Sequence, residues 1–395
     1  MNRSLLKRDG WTVPRADGLS FDVPSRPADV IVIGAGIVGC AIAYELARRG
    51  VSVEVIDERM VGMGATQASA GMLAPYIEAH EESPLFDLTV RSLNLFDQFV
   101  ERVSSESGIP IPYRRTGTLT VVNGAADMSV LRQTAGALAR RGVEADLLDA
   151  AAARTEEPHL AADAAGGLLI RAHGFVAVHD LTRAVAAAAR RHGAQLVEQS
   201  RVRRISRVNG DFAVDTDRGS LRGDAVVLAA GSWSGGIAIE GVASGVPVRP
   251  VRGQLMYLAW NGSPLRRVLW AQRCYMVPWD DGTVLVGATT EDAGFDERVT
   301  VAGVRDLLEA ACELTPQART ASFAGARAGL RPATTDGLPV IGASKVLPGL
   351  MYATGHYRNG VLLSPLTAQL VADAMLDDRA DPALAALGPA RFGEL

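Results

Sequence analysis

Apolar positions near the start of the chain form short continuous runs that are separated by a helically spaced stretch. The run from Asp29 to Ile33 ends in glycine and predicts a buried strand. Helical spacing extends from Ile37 to Arg49, where Gly50 predicts the helix end, and Val51 to Ile56 predicts a second strand. This strand–helix–strand order is typical of a parallel sheet with a crossover helix.

The pattern changes in the middle of the chain and then returns. Between Pro247 and Ala288, short strand-like runs separated by turn residues predict an antiparallel sheet. A predicted strand at Gly349 to Thr354 followed by a predicted helix at Gly360 to Leu376 repeats the strand–helix order seen near the start of the chain. Further predicted elements are helices at Ser83 to Val103, Leu131 to Arg140 and Leu181 to His192, and strands at Thr118 to Val122 and Asp224 to Ala230.

The predicted fold class is therefore α/β with an α+β second domain. We expect a Rossmann-like nucleotide-binding domain made of discontinuous segments (29–108, 167–240 and 325–395). We expect a mainly antiparallel substrate-binding domain with helices at 109–166 and 241–324, and an irregular arm at 1–28. A ligand held between two such domains would be buried by both.

Composition narrows the function classes. The chain has 395 residues, enough for two domains, and a formal net charge of −4, which does not favour nucleic acid as a partner. No apolar run has the length of a membrane span, and the first 28 residues lack the apolar core of a signal peptide. The three cysteines are far apart, which favours a reducing cytoplasm and indicates neither disulfide framework nor metal site.

The clearest motif is Gly34-Ala35-Gly36-Ile37-Val38-Gly39, between the first strand and its helix. In this context the glycines permit a tight turn, a close approach of backbone to a pyrophosphate, and close helix packing. Asp57 ends the next strand 18 positions after Gly39 and suits a carboxylate that accepts hydrogen bonds from a ribose diol. The motif predicts dinucleotide binding but does not separate NAD from FAD.

Three further segments carry a family resemblance. They are Gly64-Ala65-Thr66-Gln67-Ala68-Ser69-Ala70-Gly71-Met72, Gly329-Leu330-Arg331-Pro332 with Asp336-Gly337-Leu338-Pro339, and His356-Tyr357-Arg358-Asn359-Gly360-Val361-Leu362-Leu363. Together they resemble the D-amino-acid-oxidase superfamily of flavoenzymes. The last run looks most like the glycine oxidases of the thiamine pathway. The resemblance extends from about residue 29 to 377 and is loose from about 110 to 165.

The resemblance implies a role for each matched position. Residues that would line FAD are Gly34, Gly36, Ile37, Val38, Gly39, Asp57, Glu58, Ala65, Thr66, Ala70, Gly71, Met72, Val202, His356, Tyr357, Arg358, Asn359, Gly360, Val361 and Leu362. Residues that would hold the substrate are Tyr275, Arg331 and Arg358. A planar guanidinium suits bidentate capture of a carboxylate. Arg358 could instead serve a structural ion pair, Tyr275 could simply pack in its strand, and His356 is expected to position backbone rather than to act as a base.

Two departures from the family pattern are informative. Some relatives tether FAD to a cysteine at the position of Gly329, so we expect noncovalent FAD here. Trp279 follows Pro278 where related oxidases often have arginine, which leaves the identity of the substrate open.

The implied reaction is hydride transfer from a small amino acid to FAD, with oxygen as the final acceptor. The expected products are an imine, then a keto acid (glyoxylate from glycine), ammonia and hydrogen peroxide. Alternatives are a dehydrogenase that passes electrons to a quinone or a protein, an oxidase for proline, sarcosine or larger D-amino acids, and a flavin-carrying, non-catalytic subunit of a complex. A homo-oligomer is possible.

Overall fold

The computed structural model describes residues 28–78, 83–243, 245–377 and 381–395. The predicted arm, apart from Ala28, lies outside these residues. The helices are α1 (Ile37–Arg48), α2 (Pro75–Glu78), α3 (Pro84–Ser107), α4 (Ala125–Arg140), α5 (Ala150–Glu156), α6 (Val178–Arg191), α7 (Val301–Leu314), α8 (Gly360–Leu376) and α9 (Ala383–Leu387).

The strands divide between two large sheets and one small sheet. They are β1 (Ala28–Ile33), β2 (Val53–Ile56), β3 (Met72–Leu73), β4 (Tyr113–Arg114), β5 (Thr118–Val122), β6 (Asp146–Asp149), β7 (Gly166–Ile170), β8 (Gly174–Val176), β9 (Gln195–Val197), β10 (Val202–Val208), β11 (Asp211–Thr216), β12 (Ser220–Leu228), β13 (Ala238–Ile239), β14 (Val248–Ala259), β15 (Val268–Trp270), β16 (Tyr275–Pro278), β17 (Thr283–Gly287), β18 (Ser322–Thr334), β19 (Val340–Ala343) and β20 (Leu350–Thr354).

The first sheet has a parallel core in the order β9-β2-β1-β12-β20. Helices α1, α3, α6 and α8 contribute to one hydrophobic core with this sheet, and Tyr44 and Phe96 are fully buried within it. An antiparallel meander of β10, β11 and the first half of β12 contributes to a second core with the sheet. The predicted parallel, nucleotide-binding type of sheet is confirmed.

The second sheet runs β18-β14-β17-β16-β15-β5-β7-β6 and is antiparallel except for the pair β15 and β5. Leu307 and Ala311 of α7 pack with residues such as Met256 and Met276 of this sheet. β3, β8 and β4 form the small antiparallel sheet. The predicted combination of an α/β part and a mainly antiparallel part is confirmed.

The expected domain division does not coincide with the sheets at two places. β7 pairs with β5 and β6 in the second sheet, although residues from 167 were expected in the nucleotide domain. β18 lies across the expected boundary at 325 and pairs with β14 along its whole length. We therefore propose that the substrate domain includes residues up to about 170 and the whole of β18.

Element ends differ from the prediction where the hydrophobic pattern fades. α4 begins at Ala125 rather than Leu131, because its first turn is exposed and carries no apolar periodicity. α3 extends to Ser107, where Gly108 adopts φ +70° and ends the helix.

Candidate active site

A cavity of about 650 Å³ lies where the carboxyl ends of the parallel strands face the second sheet. Ile33, Ile56 and Thr354 mark the ends of β1, β2 and β20 in its wall, and Tyr275 and Arg331 come from the second sheet. Ligands of open α/β sheets bind at this edge. Every site residue predicted from the sequence lines the cavity except Gly39.

The glycine turn after β1 is built for close approach. A Cβ on Gly34, which has φ +110°, would lie 2.4 Å from the carbonyl oxygen of Ala229. A Cβ on Gly39 would lie 1.9 Å from the carbonyl oxygen of Gly34, so this glycine lets α1 pack against the turn rather than face the cavity. α1 starts with Gly36 at its N-cap and has no acidic residue in its first turn. Its amino end is therefore suited to an external anion.

Asp57 lies at the end of β2 beside this turn. One carboxylate oxygen accepts from the Ala35 amide at 2.7 Å and the other from the Arg59 amide at 2.8 Å. Burial raises the pKa of Asp57 above its usual value, although these two hydrogen bonds act in the opposite direction. Each carboxylate oxygen can accept a further hydrogen bond, so the predicted ribose contact by Asp57, with Glu58 beside it in the cavity wall, is compatible with this geometry.

The segment from Gly64 to Met72 forms the next part of the wall. Thr66 is buried, and its hydroxyl accepts from the Ile37 amide at 3.2 Å, which ties the short 3₁₀ helix at Ala65–Ala68 to the start of α1. A Cβ on Gly71, at φ +69°, would lie 2.0 Å from the carbonyl oxygen of Val176. The absence of a side chain at Gly71 therefore lets this segment pack closely against the end of β8. Val202, at the start of β10, also lines this end.

The segment from His356 to Leu362 connects β20 with α8 and lines the cavity throughout. Burial lowers the pKa of His356 to about 4, and its Nε2 lies 3.0 Å from the Thr367 hydroxyl. The ring is neutral at pH 7, which supports the expected positioning role. Asn359 forms an N-cap without a side-chain hydrogen bond, and no acidic residue lies in the first turn of α8. This second helix start also favours an anion.

The three residues predicted to hold the substrate meet on the other side of the cavity. Arg331 of β18 donates from Nη1 to the Thr289 carbonyl at 3.0 Å and to the Arg252 carbonyl at 3.4 Å. Arg358 donates to the Thr290 hydroxyl at 3.0 Å. The Tyr275 ring stacks on Trp270 with centroids 5.5 Å apart.

Two glycines that the sequence analysis did not single out make room for these side chains. A Cβ on Gly253 would lie 2.2 Å from an Arg331 guanidinium nitrogen. A Cβ on Gly287 would lie 2.4 Å from the Tyr275 ring. Gly253 lies opposite Gly329, and Gly287 opposite Tyr275, in the strand pairing. No local sequence signal marks them, because the contacts join separate strands.

Trp279 and Gly329, the two departures from the family pattern, occupy different surroundings. Trp279 packs edge-to-face on Phe175 with centroids 4.7 Å apart and is not part of the cavity wall. The arginine-to-tryptophan difference therefore does not alter that wall directly. Gly329 lies against the 3₁₀ helix, where an added Cβ would be 2.8 Å from that of Ala68. It offers no side chain for a covalent link.

An ion pair that sequence reasoning missed joins the loop after β2, in the cavity wall, to the segment before α7. Arg59, from the loop after β2, donates to both carboxylate oxygens of Glu297 at 3.0 and 2.8 Å. Its guanidinium lies 4.3 Å over the Trp233 ring. Arg59 and Glu297 are 238 positions apart, so no local pattern could pair them. We call Arg59, Trp233 and Glu297 the clasp.

The residues present fit FAD. Gly34 and Gly39 let the turn after β1 and the start of α1 pack too closely for a Cβ, two helix starts face the cavity, and carboxylates at Asp57 and Glu58 suit a ribose diol. Among the described residues, no cluster of histidine, cysteine, aspartate or glutamate has the arrangement of a metal site. A search of the same residues found no helix both long and apolar enough to cross a membrane.

Comparisons with known proteins agree with this geometry. A family model described as FAD dependent oxidoreductase matches residues 29–374. The chain is 35% identical to the glycine oxidase of Geobacillus kaustophilus over 347 residues, which cover 87% of this chain and 92% of that protein. It is also 35% identical to the bifunctional protein ThiO/ThiG of a Nostoc species, covering 90% of this chain but 54% of that protein. The crystal structure of glycine oxidase from Geobacillus kaustophilus superposes with a TM-score of 0.87 at 34% identity, covering 93% and 98% of the two chains.

Proposed function

Because the chain belongs to the family of FAD-dependent oxidoreductases and is an amino acid oxidase, we propose that it oxidises glycine to glyoxylate and ammonia and reduces oxygen to hydrogen peroxide. The observation that carries the proposal is that Arg331, Tyr275 and Arg358 all line the cavity and all adjoin residues 287–290, where Tyr275 lies opposite Gly287 and the two arginines donate to Thr289 and Thr290. Similarity to glycine oxidase over nearly the whole chain supports the same substrate.

Arg331 binds the substrate carboxylate through the two-pronged geometry of its guanidinium. The carbonyls of Thr289 and Arg252 hold this side chain from behind. Tyr275 and Arg358 give further hydrogen bonds, which fix the α-carbon within the cavity. FAD, when bound, supplies the two-electron acceptor for the α-hydrogen.

A side-chain base is not needed when the amine binds in its neutral form. His356 is buried and neutral, and it contacts Thr367, so it positions the loop around it. After loss of a hydride from carbon and a proton from nitrogen, the imine leaves the site. Water then converts the imine to the keto acid and ammonia.

We call Arg331, Tyr275 and Arg358 the clamp. Its geometry also predicts which enantiomer of a substituted substrate reacts. With the carboxylate fixed on Arg331 and FAD on one side of the substrate, only one α-hydrogen faces the acceptor. Glycine always offers that hydrogen, whereas a substituted amino acid offers it from one enantiomer, which the family resemblance indicates is D. Glycine has little apolar surface to bury, so its affinity rests mainly on the charged contacts.

A peroxide-coupled assay of the purified holoenzyme tests the proposal. Glycine, sarcosine and D-alanine should give peroxide, whereas L-alanine and L-proline should not. Reduction of a dye without peroxide would replace the oxidase by a dehydrogenase, and preference for an L-amino acid would overturn the assigned geometry. Failure of the isolated chain to turn over any of these amino acids would favour a non-catalytic subunit. Denaturation should release free FAD, and colour that stays with the chain would refute noncovalent binding.

A further inference from the structure

One short segment contacts both arginines of the proposed substrate clamp. Thr289 and Thr290 follow the end of β17. The Thr289 carbonyl accepts from Arg331 at 3.0 Å, and the Thr290 hydroxyl accepts from Arg358 at 3.0 Å. The two arginines come from different elements, β18 and the loop before α8, so this segment is a shared reference for their orientation.

The segment is itself held by β14. Backbone hydrogen bonds join Thr289 to Gln254 at 3.1 Å and join Arg252 and Glu291 in both directions at 2.9 Å. The backbone amide of Gln254 also donates to the Thr289 hydroxyl at 2.9 Å. These bonds extend the antiparallel pairing of β14 with β17 beyond the end of the regular strand.

A carboxylate completes the attachment. Glu291 accepts from Arg252 at 2.6 Å, from the Gln254 side chain at 2.7 Å and from the Thr289 hydroxyl. Arg252 and Gln254 are buried. The side-chain amide of Gln254 packs so closely on Gly303 that a Cβ there would overlap it. Burial would raise the pKa of Glu291, but its hydrogen bonds from Thr289, Arg252 and Gln254 outweigh burial and lower it. The carboxylate is therefore ionised when the enzyme works near pH 7.

Such a network has a physical use beyond stability. A buried guanidinium has to be paired, and a fully satisfied polar network holds its members in one arrangement. Capture of a carboxylate by arginine depends on the orientation of the guanidinium plane. A rigid support behind the clamp thus reduces the ordering that substrate binding would otherwise require.

We propose that Thr290 and Glu291 are positioning residues that orient Arg358 and Arg331 for the substrate carboxylate. Thr290 acts directly on Arg358 through its hydroxyl. Glu291 acts on Arg331 by fixing Thr289, whose carbonyl accepts from that guanidinium. The inference rests on the proposed function, because it assumes that the two arginines bind a carboxylate.

Thr290→Val tests the first half, since valine keeps the shape and removes the acceptor. We expect KM for glycine, and Kd for acetate measured by flavin absorbance, to rise about tenfold with little change in kcat. Thr290→Ser should restore most of the affinity. Thr134→Val, in α4 and remote from the cavity, is the matched control and should behave as the unmodified enzyme.

Double variants separate positioning from direct contact. In an Arg358→Ala background, Thr290→Val should change KM and the acetate Kd no further, because its target is absent. Glu291→Gln should raise the same constants about tenfold alone and add nothing to Arg331→Ala. Full additivity in either pair would overturn the corresponding assignment.

Other results are equally decisive. Unchanged acetate binding by Thr290→Val, or loss of FAD from it, would overturn the role of Thr290 in the clamp. Absence of glycine turnover by the unmodified enzyme would instead refute the proposed function. Melting temperatures of all variants, measured with FAD bound, identify any variant whose weakened binding reflects general destabilisation. For Thr290→Val the serine rescue then decides, and for Glu291→Gln the absence of a further effect in the Arg331→Ala background decides.

Discussion

The two ends of the cavity hold their ligands by different means. The nucleotide end uses backbone, glycines and helix starts, and its central motif lies within residues 34–39. The substrate end uses long charged and aromatic side chains from β16, β18 and the loop before α8, with support from β14 and the segment after β17. The first arrangement depends on backbone packing that is too close for a Cβ. The second depends on orientations that several distant residues maintain together.

The largest expected effect comes from disrupting the close backbone packing at the nucleotide end. In Gly39→Ala, the new Cβ would lie 1.9 Å from the Gly34 carbonyl oxygen, so the start of α1 must move. Overpacking of this kind costs about 3 kcal/mol or more and displaces the amides that face the phosphates. We expect the variant to purify with little flavin, as judged by the absorbance ratio of flavin to protein. Gly136→Ala, within α4, meets only an ordinary contact and should retain full flavin. Normal FAD content in Gly39→Ala would show that the turn tolerates displacement.

Arg331→Ala addresses the other end. It should retain FAD but lose about 2–5 kcal/mol of transition-state stabilisation in kcat/KM, because a charge-assisted contact with the carboxylate is removed. Arg331→Lys should recover part of this, since an ammonium lacks the two-pronged geometry. Steady-state kinetics with glycine measure both. Near-normal efficiency in Arg331→Ala would remove this residue from the clamp.

Gly253→Ala tests whether the substrate end also depends on the absence of a Cβ, in this case beside a side chain rather than beside backbone. Its Cβ would lie 2.2 Å from the Arg331 guanidinium, which carbonyl groups hold in place. We expect kcat/KM to fall about tenfold to a hundredfold, because the guanidinium is displaced, while FAD content stays normal. The same substitution in Arg331→Ala should have little further effect. An equal loss in both backgrounds would mean that Gly253 acts on the sheet rather than on Arg331.

The smallest effect is expected from weakening the clasp. Glu297→Gln weakens the clasp to Arg59, a partly exposed pair worth about 1 kcal/mol. FAD should therefore dissociate about threefold to fivefold faster, with kcat unchanged, as measured by loss of flavin fluorescence quenching after dilution. Arg298→Ala, at an exposed position beside the clasp, serves as the control. An unchanged rate of FAD release in Glu297→Gln would show that the clasp does not retain the cofactor.

The contrast between the ends also explains what the sequence could predict. The glycine turn and Asp57 lie within one strand–helix–strand unit, so their spacing carried the information. Arg331, Tyr275 and Arg358 came from the family resemblance, and their meeting in one cavity wall required the fold. Gly253, Gly287 and Glu291 had no local signal, because the neighbours that explain them lie on other strands or across a strand pair.

One missed element did have a signal. The hairpin of β10 and β11 turns at Asn209-Gly210, where both residues have positive φ. An asparagine–glycine pair between strand-like runs is a strong hairpin indicator. The charged residues of β10 conceal it, since the exposed Arg203, Arg204 and Arg207 interrupt the apolar run, and a register shift between Val202 and Arg204 breaks the regular alternation of faces.

The alternation of side chains along β14 links the accuracy of folding to catalysis. Arg252 and Gln254 reach the buried network, whereas Gly253 between them leaves room for Arg331. A slip of one residue in the pairing with β18 would exchange these faces. It would place the side chain of Arg252 or of Gln254 where Gly253 now leaves room for Arg331. A misregistered sheet would thus displace Arg331 from the position proposed for carboxylate binding, so correct strand register is a condition for the proposed activity.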